Sequence, residues 1–268
     1  MKLAAVQMIS GPEVAPNLQR AAALIAEAAA QGAELVALPE YFPLIGASDA
    51  ERLAAREPEG TGPIQDFLAA AAARHGLWLV GGSIPLVAAD PAKLRNGMLV
   101  FDPQGRRIAR YDKIHLFGFR KGDESYDESV TIEAGDAPVA IDVAGLRVGL
   151  SICYDLRFPE LFRRLGPACR PLDLIVLPAA FTETTGRAHW EMLLRARAVE
   201  NQCYVLASAQ GGRHPSGRLT HGNSMLVDPW GEIVARMDKG EGVVVGELDP
   251  RRIADVRASL PALRHRIL

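Results

Sequence analysis

The sequence carries one internal duplication, and no other feature limits the available folds as much. ELVALPE at 34–40 resembles DLIVLPA at 173–179, and GLWLVGGS at 76–83 resembles QCYVLASA at 202–209. NGMLVFDPQGRRIARYDK at 96–113 resembles NSMLVDPWGEIVARMDK at 223–239 with one deletion. The matches come in the same order in both halves, whereas a solenoid would need more copies at a shorter period. Each half is therefore expected to supply one sheet and its covering helices. Two such sheets packed face to face give a four-layer α-β-β-α sandwich with pseudo-twofold symmetry, and a site between the strand ends. The 268 residues, 49% of them hydrophobic, suffice for one domain over 1–268 built this way.

Short β-rich apolar runs alternate with Ala/Leu-rich helical runs, the pattern of an α/β domain. Strands are predicted at 3–8, 34–38, 77–83, 147–152, 174–177, 203–209, 225–227, 232–237 and 242–247, with a hairpin formed by 97–101 and 106–111. Helices are predicted at 18–31, where Ala21, Leu24, Ile25 and Ala28 share a face and Gly32 is the stop, and at 64–75.

Charge and cysteine content exclude several function classes. The net charge is −2 with no basic run, which argues against a nucleic-acid partner. The longest apolar stretches, such as 174–181, are far shorter than the ~20 residues of a membrane span. The start MKLAAVQMIS runs into Gly11-Pro12 without a small-residue cleavage site, so a strand is expected there and no signal peptide. Cys153, Cys169 and Cys203 show no CxxC spacing, so neither a disulfide framework nor a zinc knuckle is expected. His214 and His221 are not spaced as a ligand pair, and no metal or cofactor is implied. A reducing, cytoplasmic setting fits this content.

The duplication also separates scaffold from chemistry. Leu-Pro and Asp-Pro-x-Gly occur in both halves and read as structural. Glu40 has no carboxylate counterpart, because Ala179 stands opposite it, and Cys153 corresponds approximately to Ile9. Lys113 is matched by Lys239. Glu40, Lys113 and Cys153 all fall at or just past strand ends, where open α/β sheets form their sites. A helix is expected to start near Phe158. A thiol on a strand-to-helix turn is exposed to a substrate and flanked by backbone N–H groups. An adjacent ammonium would lower its pKa, and Glu40 could relay its proton. The alternatives are a small core cysteine, a surface-turn glutamate and a solvated rim lysine, and spacing alone does not bring the three together.

LVALPEYF, RYDKIHLF and GLSICYDLRFPELF resemble, in order, the three catalytic signatures of the nitrilase (carbon–nitrogen hydrolase) superfamily. The likeness extends through TTGRAHWEMLLRARAVENQCYV and GNSMLVDPWG and so spans nearly the whole chain. The branch it most resembles is that of omega-amidase and deaminated glutathione amidase. The resemblance implies that Cys153 attacks an amide carbonyl and forms a thioester, and that Glu40 is the general base and then acid. It further implies that Lys113 and the backbone N–H of Tyr154 hold the oxyanion, with Glu128 as a second carboxylate orienting the lysine. The implied substrate is a small keto-acid-like amide bearing a carboxylate, cleaved with release of ammonia. Arg157 matches the position that grips that carboxylate, the alternative being an internal pair with Asp155 or Glu160, and Phe181 and Thr185 match pocket positions. Asn223 departs from the pattern, where relatives often have His, and so does GFRKGDESY at 118–126. A homodimer or larger assembly is implied, through 158–165, 190–201 and the C-terminal tail. Rival readings are an N-carbamoyl amidohydrolase or nitrilase of the same superfamily, a Cys–His hydrolase using His115 or His189, and a catalytically silent binding protein.

Overall fold

In the computed structural model, which describes all residues except 47, 123 and 268, the two halves of the duplication form two sheets. The first half gives β1 (Lys2–Gln7), β2 (Leu35–Ala37), β3 (Trp78–Val80), β4 (Ile84–Val87), β5 (Leu94–Phe101) and β6 (Arg107–Asp112). A small separate hairpin follows, β7 (Gly118–Lys121) and β8 (Glu124–Asp127). The second half gives β9 (Ala140–Val143), β10 (Leu146–Leu150), β11 (Leu174–Ala179), β12 (Tyr204–Ala209), β13 (Met225–Val227), β14 (Ile233–Arg236) and β15 (Gly242–Glu247). The repeat is visible in the pairing. β1, β2 and β3 run parallel and continue antiparallel through β5 and β6; β10, β11 and β12 do the same through β13 and β14.

The halves do not keep to themselves, however. β15 comes from the second half but pairs antiparallel with β1 of the first sheet, from Lys2↔Glu247 to Gln7↔Gly242. Burial explains the exchange. Val244 enters the core between the sheets, while Val243 and Val245 pack on the outer side, so the strand fits the edge that β1 would otherwise leave unpaired.

The helices are α1 (Val14–Ala30), α2 (Asp49–Ala54), α3 (Pro63–His75), α4 (Pro159–Leu165), α5 (Glu183–Asn201) and α6 (Pro250–Ser259). Alternation along the strands sorts side chains into layers. Leu3 and Ala5 of β1 and Met98 and Val100 of β5 join the core that includes the second sheet. Ala4 and Val6 of β1 and Leu99 and Phe101 of β5 face outward onto Leu24, Ile25 and Ala28 of α1 and Leu68 and Ala72 of α3. On the far side Phe162 of α4 and Trp190, Leu194 and Ala198 of α5 close the second sheet. The layers thus run helices, sheet, sheet, helices. Each fully buried Leu, Ile or Phe in them contributes roughly 1.5–3 kcal/mol.

α1 begins four residues before its predicted start, with Pro16 inside its first turn, where the missing N–H needs no partner. It ends at the predicted glycine: Gly32 has φ 82°, its N–H donates to Ala29 O, and Ala33 N–H donates to Ala28 O, a Schellman motif. The segment 118–126, read from sequence as a departing loop, is largely the β7–β8 hairpin; position 123 lies outside the described residues.

Candidate active site

Three strand ends converge. Glu40 lies three residues past β2, Lys113 directly follows β6, and Cys153 lies three residues past β10. No α-helix starts at Cys153. It opens a 3-10 turn, Cys153–Arg157, and α4 follows only at Pro159. Cys153 has φ 49°, in the left-handed region that side-chain-bearing residues avoid, and so does Tyr41 at φ 56°. Such backbone persists only where surrounding contacts hold it. Asp155, wholly buried, supplies several of those contacts. Its carboxylate accepts from Ile152 N–H (2.8 Å), Tyr111 Oη (2.7 Å) and His115 N–H (3.1 Å), and lies 2.7 Å from His115 Nδ1. It therefore ties the turn that bears Cys153 to both flanks of Lys113.

Lys113 is fully buried, and its ammonium bridges Glu40 Oε1 at 2.9 Å and Glu128 Oε2 at 2.7 Å. Glu40 also accepts from Asn96 Nδ2 (3.0 Å) and Ala180 N–H (2.9 Å). Glu128 accepts from Tyr41 Oη and Phe117 N–H, each at 2.8 Å. Burial opposes the charge on Lys113, but Glu128 and then Glu40 outweigh it and hold the ammonium well above the ordinary lysine range. Burial likewise opposes charge on Glu128, yet Lys113 and its hydrogen bonds leave it below the ordinary glutamate range.

The thiol does not follow the expectation drawn from sequence. Burial first and the Glu40 carboxylate second push Cys153 well above the usual thiol range, and Lys113 offsets them only in part. The ammonium is bridged by two carboxylates, whose negative charges oppose a thiolate beside them. The resting Cys153 is therefore a thiol beside the Glu40 carboxylate.

Of the residues singled out from sequence, Glu40, Glu128, Cys153, Tyr154, Arg157, Phe181 and Thr185 line one narrow cavity, with Phe117, Ala180, Thr182 and Arg218 completing it. Lys113 lies beneath it, out of contact with solvent. The N–H of Tyr154, at the start of the turn, makes no hydrogen bond among the described residues. Arg157 forms no pair with Asp155 or Glu160. Its Nη1 lies 3.2 Å from His189 Nδ1, and its guanidinium sits over the rings of Phe181 (5.3 Å) and Tyr154 (5.7 Å). Phe181 packs against Trp190, and the Thr182 hydroxyl caps Thr185 N–H. His115 and His189 are engaged by Asp155 and Arg157 and do not line the cavity, which removes the Cys–His arrangement.

Asn223 lies outside this cavity. It lines a separate groove of about 730 Å³ along α5, where its carbonyl accepts from Trp190 Nε1. Its φ of 60° is a conformation that asparagine tolerates. Sequence reasoning missed Tyr41, Asn96, Asp155 and Arg218. Asn96 is matched by Asn223 in the duplication, so nothing set it apart. Tyr41 and Asp155 stood inside the quoted signatures, beside Glu40 and two residues after Cys153.

Comparison with known proteins identifies the family. The carbon-nitrogen hydrolase family model matches residues 2–258. The chain is 43% identical over 268 residues to the deaminated glutathione amidase of Synechocystis sp. (strain PCC 6803 / GT-S), covering 98% of this chain and 97% of the relative. It is 39% identical over 267 residues to omega-amidase NIT2 of Homo sapiens, covering 99% and 94%. The crystal structure of Saccharomyces cerevisiae Nit3, a nitrilase-superfamily protein, superposes with a TM-score of 0.89 at 33% identity, covering 100% of this chain and 97% of that one. The chain belongs to the carbon–nitrogen hydrolase family, whose members act on carbon–nitrogen bonds other than peptide bonds.

Proposed function

We propose that residues 1–268 form one catalytic domain that cleaves the terminal amide of a small, keto-acid-like carboxylate through a Cys153 thioester and releases ammonia. The observation that carries this reading is the buried Lys113 ammonium bridging Glu40 and Glu128 beside a protonated thiol. One ammonium and two carboxylates leave the site at −1. A free thiolate would take it to −2, whereas moving the thiol proton to Glu40 as sulfur attacks keeps the charge constant. The Cys153 S–C bond forms, and the carbonyl oxygen becomes an oxyanion stabilised by Lys113 and the unpartnered N–H of Tyr154. Glu40 then returns its proton to the nitrogen as the C–N bond breaks. A water deprotonated by Glu40 hydrolyses the thioester and restores the thiol.

Glu128 orients Lys113. Arg157 has no carboxylate within 4 Å among the described residues, and its fork suits a substrate carboxylate, with Phe181 and Thr185 shaping the pocket around the acyl chain. The names of the Synechocystis and human relatives fit this substrate class.

The exposed Met192 and Val199 of α5 and Trp230 beside them support a homodimer contact along that groove. The three free cysteines suit a cytoplasmic location, and no described helix is long and apolar enough to cross a membrane.

The test is turnover of α-ketoglutaramate, deaminated glutathione, a neutral short amide, a nitrile and an N-carbamoyl amino acid, read as ammonia for all but deaminated glutathione and as the freed peptide amine for that one, with Cys153→Ala as blank. Turnover of a keto-acid amide that vanishes in the variant is the expected result. Turnover confined to the nitrile or the carbamoyl compound would move the chain to another branch, and activity of Cys153→Ala would overturn the mechanism. Arg157→Ala should raise KM for carboxylate-bearing amides about tenfold or more, against little change for neutral ones. Equal changes would remove Arg157 from that role.

A further inference from the structure

Arg157 has one hydrogen-bond partner among the described residues: its Nη1 lies 3.2 Å from His189 Nδ1. A guanidinium only donates, so Nδ1 supplies the lone pair and the ring proton of His189 sits on Nε2. The guanidinium is otherwise faced by rings, Phe181 at 5.3 Å and Tyr154 at 5.7 Å. His189 does not line the catalytic cavity; it lines the groove along α5. It therefore meets Arg157 on the side away from the reacting atoms, and any effect it has on the substrate passes through Arg157.

His189 is itself held in place. Its neighbour Trp190, buried, packs on Phe181 with ring centroids 4.9 Å apart and donates from Nε1 to Asn223 O at 2.8 Å. The Thr182 hydroxyl caps the start of the same helix at Thr185 N–H. The imidazole thus offers its lone pair from a fixed position, and this does two things for Arg157. An arginine side chain carries about 2 kcal/mol of rotamer entropy, and a bond to a fixed acceptor removes part of that freedom before a ligand arrives. Because the acceptor is a neutral ring, the bond leaves the charge of Arg157 uncompensated. A carboxylate in the same place would orient the guanidinium too, but it would occupy the fork and cancel the charge. Asp155, two residues before Arg157, faces Ile152 N–H, Tyr111 and His115 instead.

We propose that His189 is a positioning residue that sets the preference of this site for carboxylate-bearing amides: as a neutral acceptor it aims the Arg157 fork at the substrate and leaves its charge free to meet the carboxylate. This rests on the amidase reading above, with Arg157 as the partner of the substrate carboxylate.

The experiment measures binding and turnover separately. Cys153→Ala is titrated by calorimetry with α-ketoglutaramate and with levulinamide, which has a methyl group where α-ketoglutaramate has its carboxylate. The same pair is titrated against Cys153→Ala carrying His189→Asn, His189→Leu or His189→Asp, each with and without Arg157→Ala, with folding checked by thermal melting. The charged amide should bind about tenfold or more tighter than the neutral one. His189→Asn, whose side-chain oxygen can stand where Nδ1 stood, should keep that ratio within about twofold, whereas His189→Leu should lower it by about three- to tenfold. His189→Asp, an acceptor that brings its own charge, should take the ratio toward one. With Arg157→Ala in place, no change at His189 should move it. A purely structural role would make His189→Asp match His189→Asn and would change the binding of both amides alike. Either result, an effect that persists with Arg157→Ala, or a ratio near one before any change at His189, overturns the proposal. The comparison of His189→Asn with His189→Asp decides it even where His189→Leu unfolds the chain. Ammonia release by the enzymes that keep Cys153 is read in parallel. A ratio that fails while the amides are turned over removes His189 from this role and leaves the amidase reading standing; a ratio that follows the expected pattern in a chain that turns over neither amide keeps the carboxylate anchor and overturns the amidase reading.

Discussion

Lys113, Glu40 and Glu128 hold one another in place, so each is expected to matter for stability as well as for chemistry. Lys113→Met leaves two buried carboxylates without their cation, which costs about 3–5 kcal/mol. A thermal melt reads that loss, and an unchanged melting temperature would mean that the ammonium is dispensable to the fold. The pH dependence has a definite sign. The Glu128 carboxyl is held below its ordinary value, so its contribution is complete above the unfolded value of about 4.3 and is lost as pH falls through the folded one. Glu128→Gln should therefore destabilise by about 1–3 kcal/mol at pH 7, with the gap to wild type closing below about pH 4.3. Urea titrations at pH 7, 5 and 4 measure it; a gap that widens on acidification would contradict the direction. At this scale, the duplication set Glu40 and Cys153 apart, since neither has a counterpart of its own kind, and the three signature segments joined them to Lys113. The N–H donors of Phe117 and Ala180 were not, since every residue has one and only the fold aims it.

Between the residues and the fold stand the elements that carry them, and Asp155 couples two of these. It fixes the turn before Cys153 through Ile152 N–H and grips Tyr111 at the end of β6 and His115 just beyond it. Asp155→Asn keeps the volume but replaces one acceptor oxygen with a donor, facing Ile152 N–H and Tyr111 Oη or His115. The nucleophile should then drift relative to Lys113, lowering kcat by about 10–100-fold with KM changed less than threefold, in keeping with the sensitivity of near-attack geometry to small displacements. A rise in KM with kcat intact would show that Asp155 shapes binding instead. The long apolar strands β1, β10, β11 and β12 were readable because they are buried on both faces. β4, β9 and the β7–β8 hairpin were not, because strands of four residues at sheet edges or on the surface are too short for a period to stand out, and β7 and β8 bury no residue fully.

At the level of the whole molecule, the duplication announced two sheets but not the exchange of β15 between them. Three consecutive valines present an apolar side chain to both faces and suit either sheet edge, so the strand's own sequence does not name its partner. What secures the crossing is polar. Gln7, at the end of β1 and fully buried, donates from Nε2 to Asp238 O (2.7 Å) and Gly240 O (3.0 Å), in the loop that leads into β15. Its Oε1 accepts from Ser224 N–H (2.9 Å) and Ser224 Oγ (2.8 Å), just before β13. One side chain thus satisfies four groups of the second half from a strand of the first. Gln7→Leu keeps the bulk but takes a partner from all four; Asp238 O keeps the bond from Asn223 N–H, and the groups left without a partner cost about 1–3 kcal/mol each. Even if only two of them stay unsatisfied, the loss is at least ~2 kcal/mol, or about 4–8 °C of melting temperature for a chain of this size. The exposed Gln104→Leu, changed in the same chemical way, should shift the melt by less than about 2 °C. Differential scanning calorimetry of the two variants decides the matter: equal shifts would mean that apolar burial alone holds β15 on the first sheet, and a large shift confined to Gln7 would mean that the halves are fastened by hydrogen bonds their common ancestry did not supply.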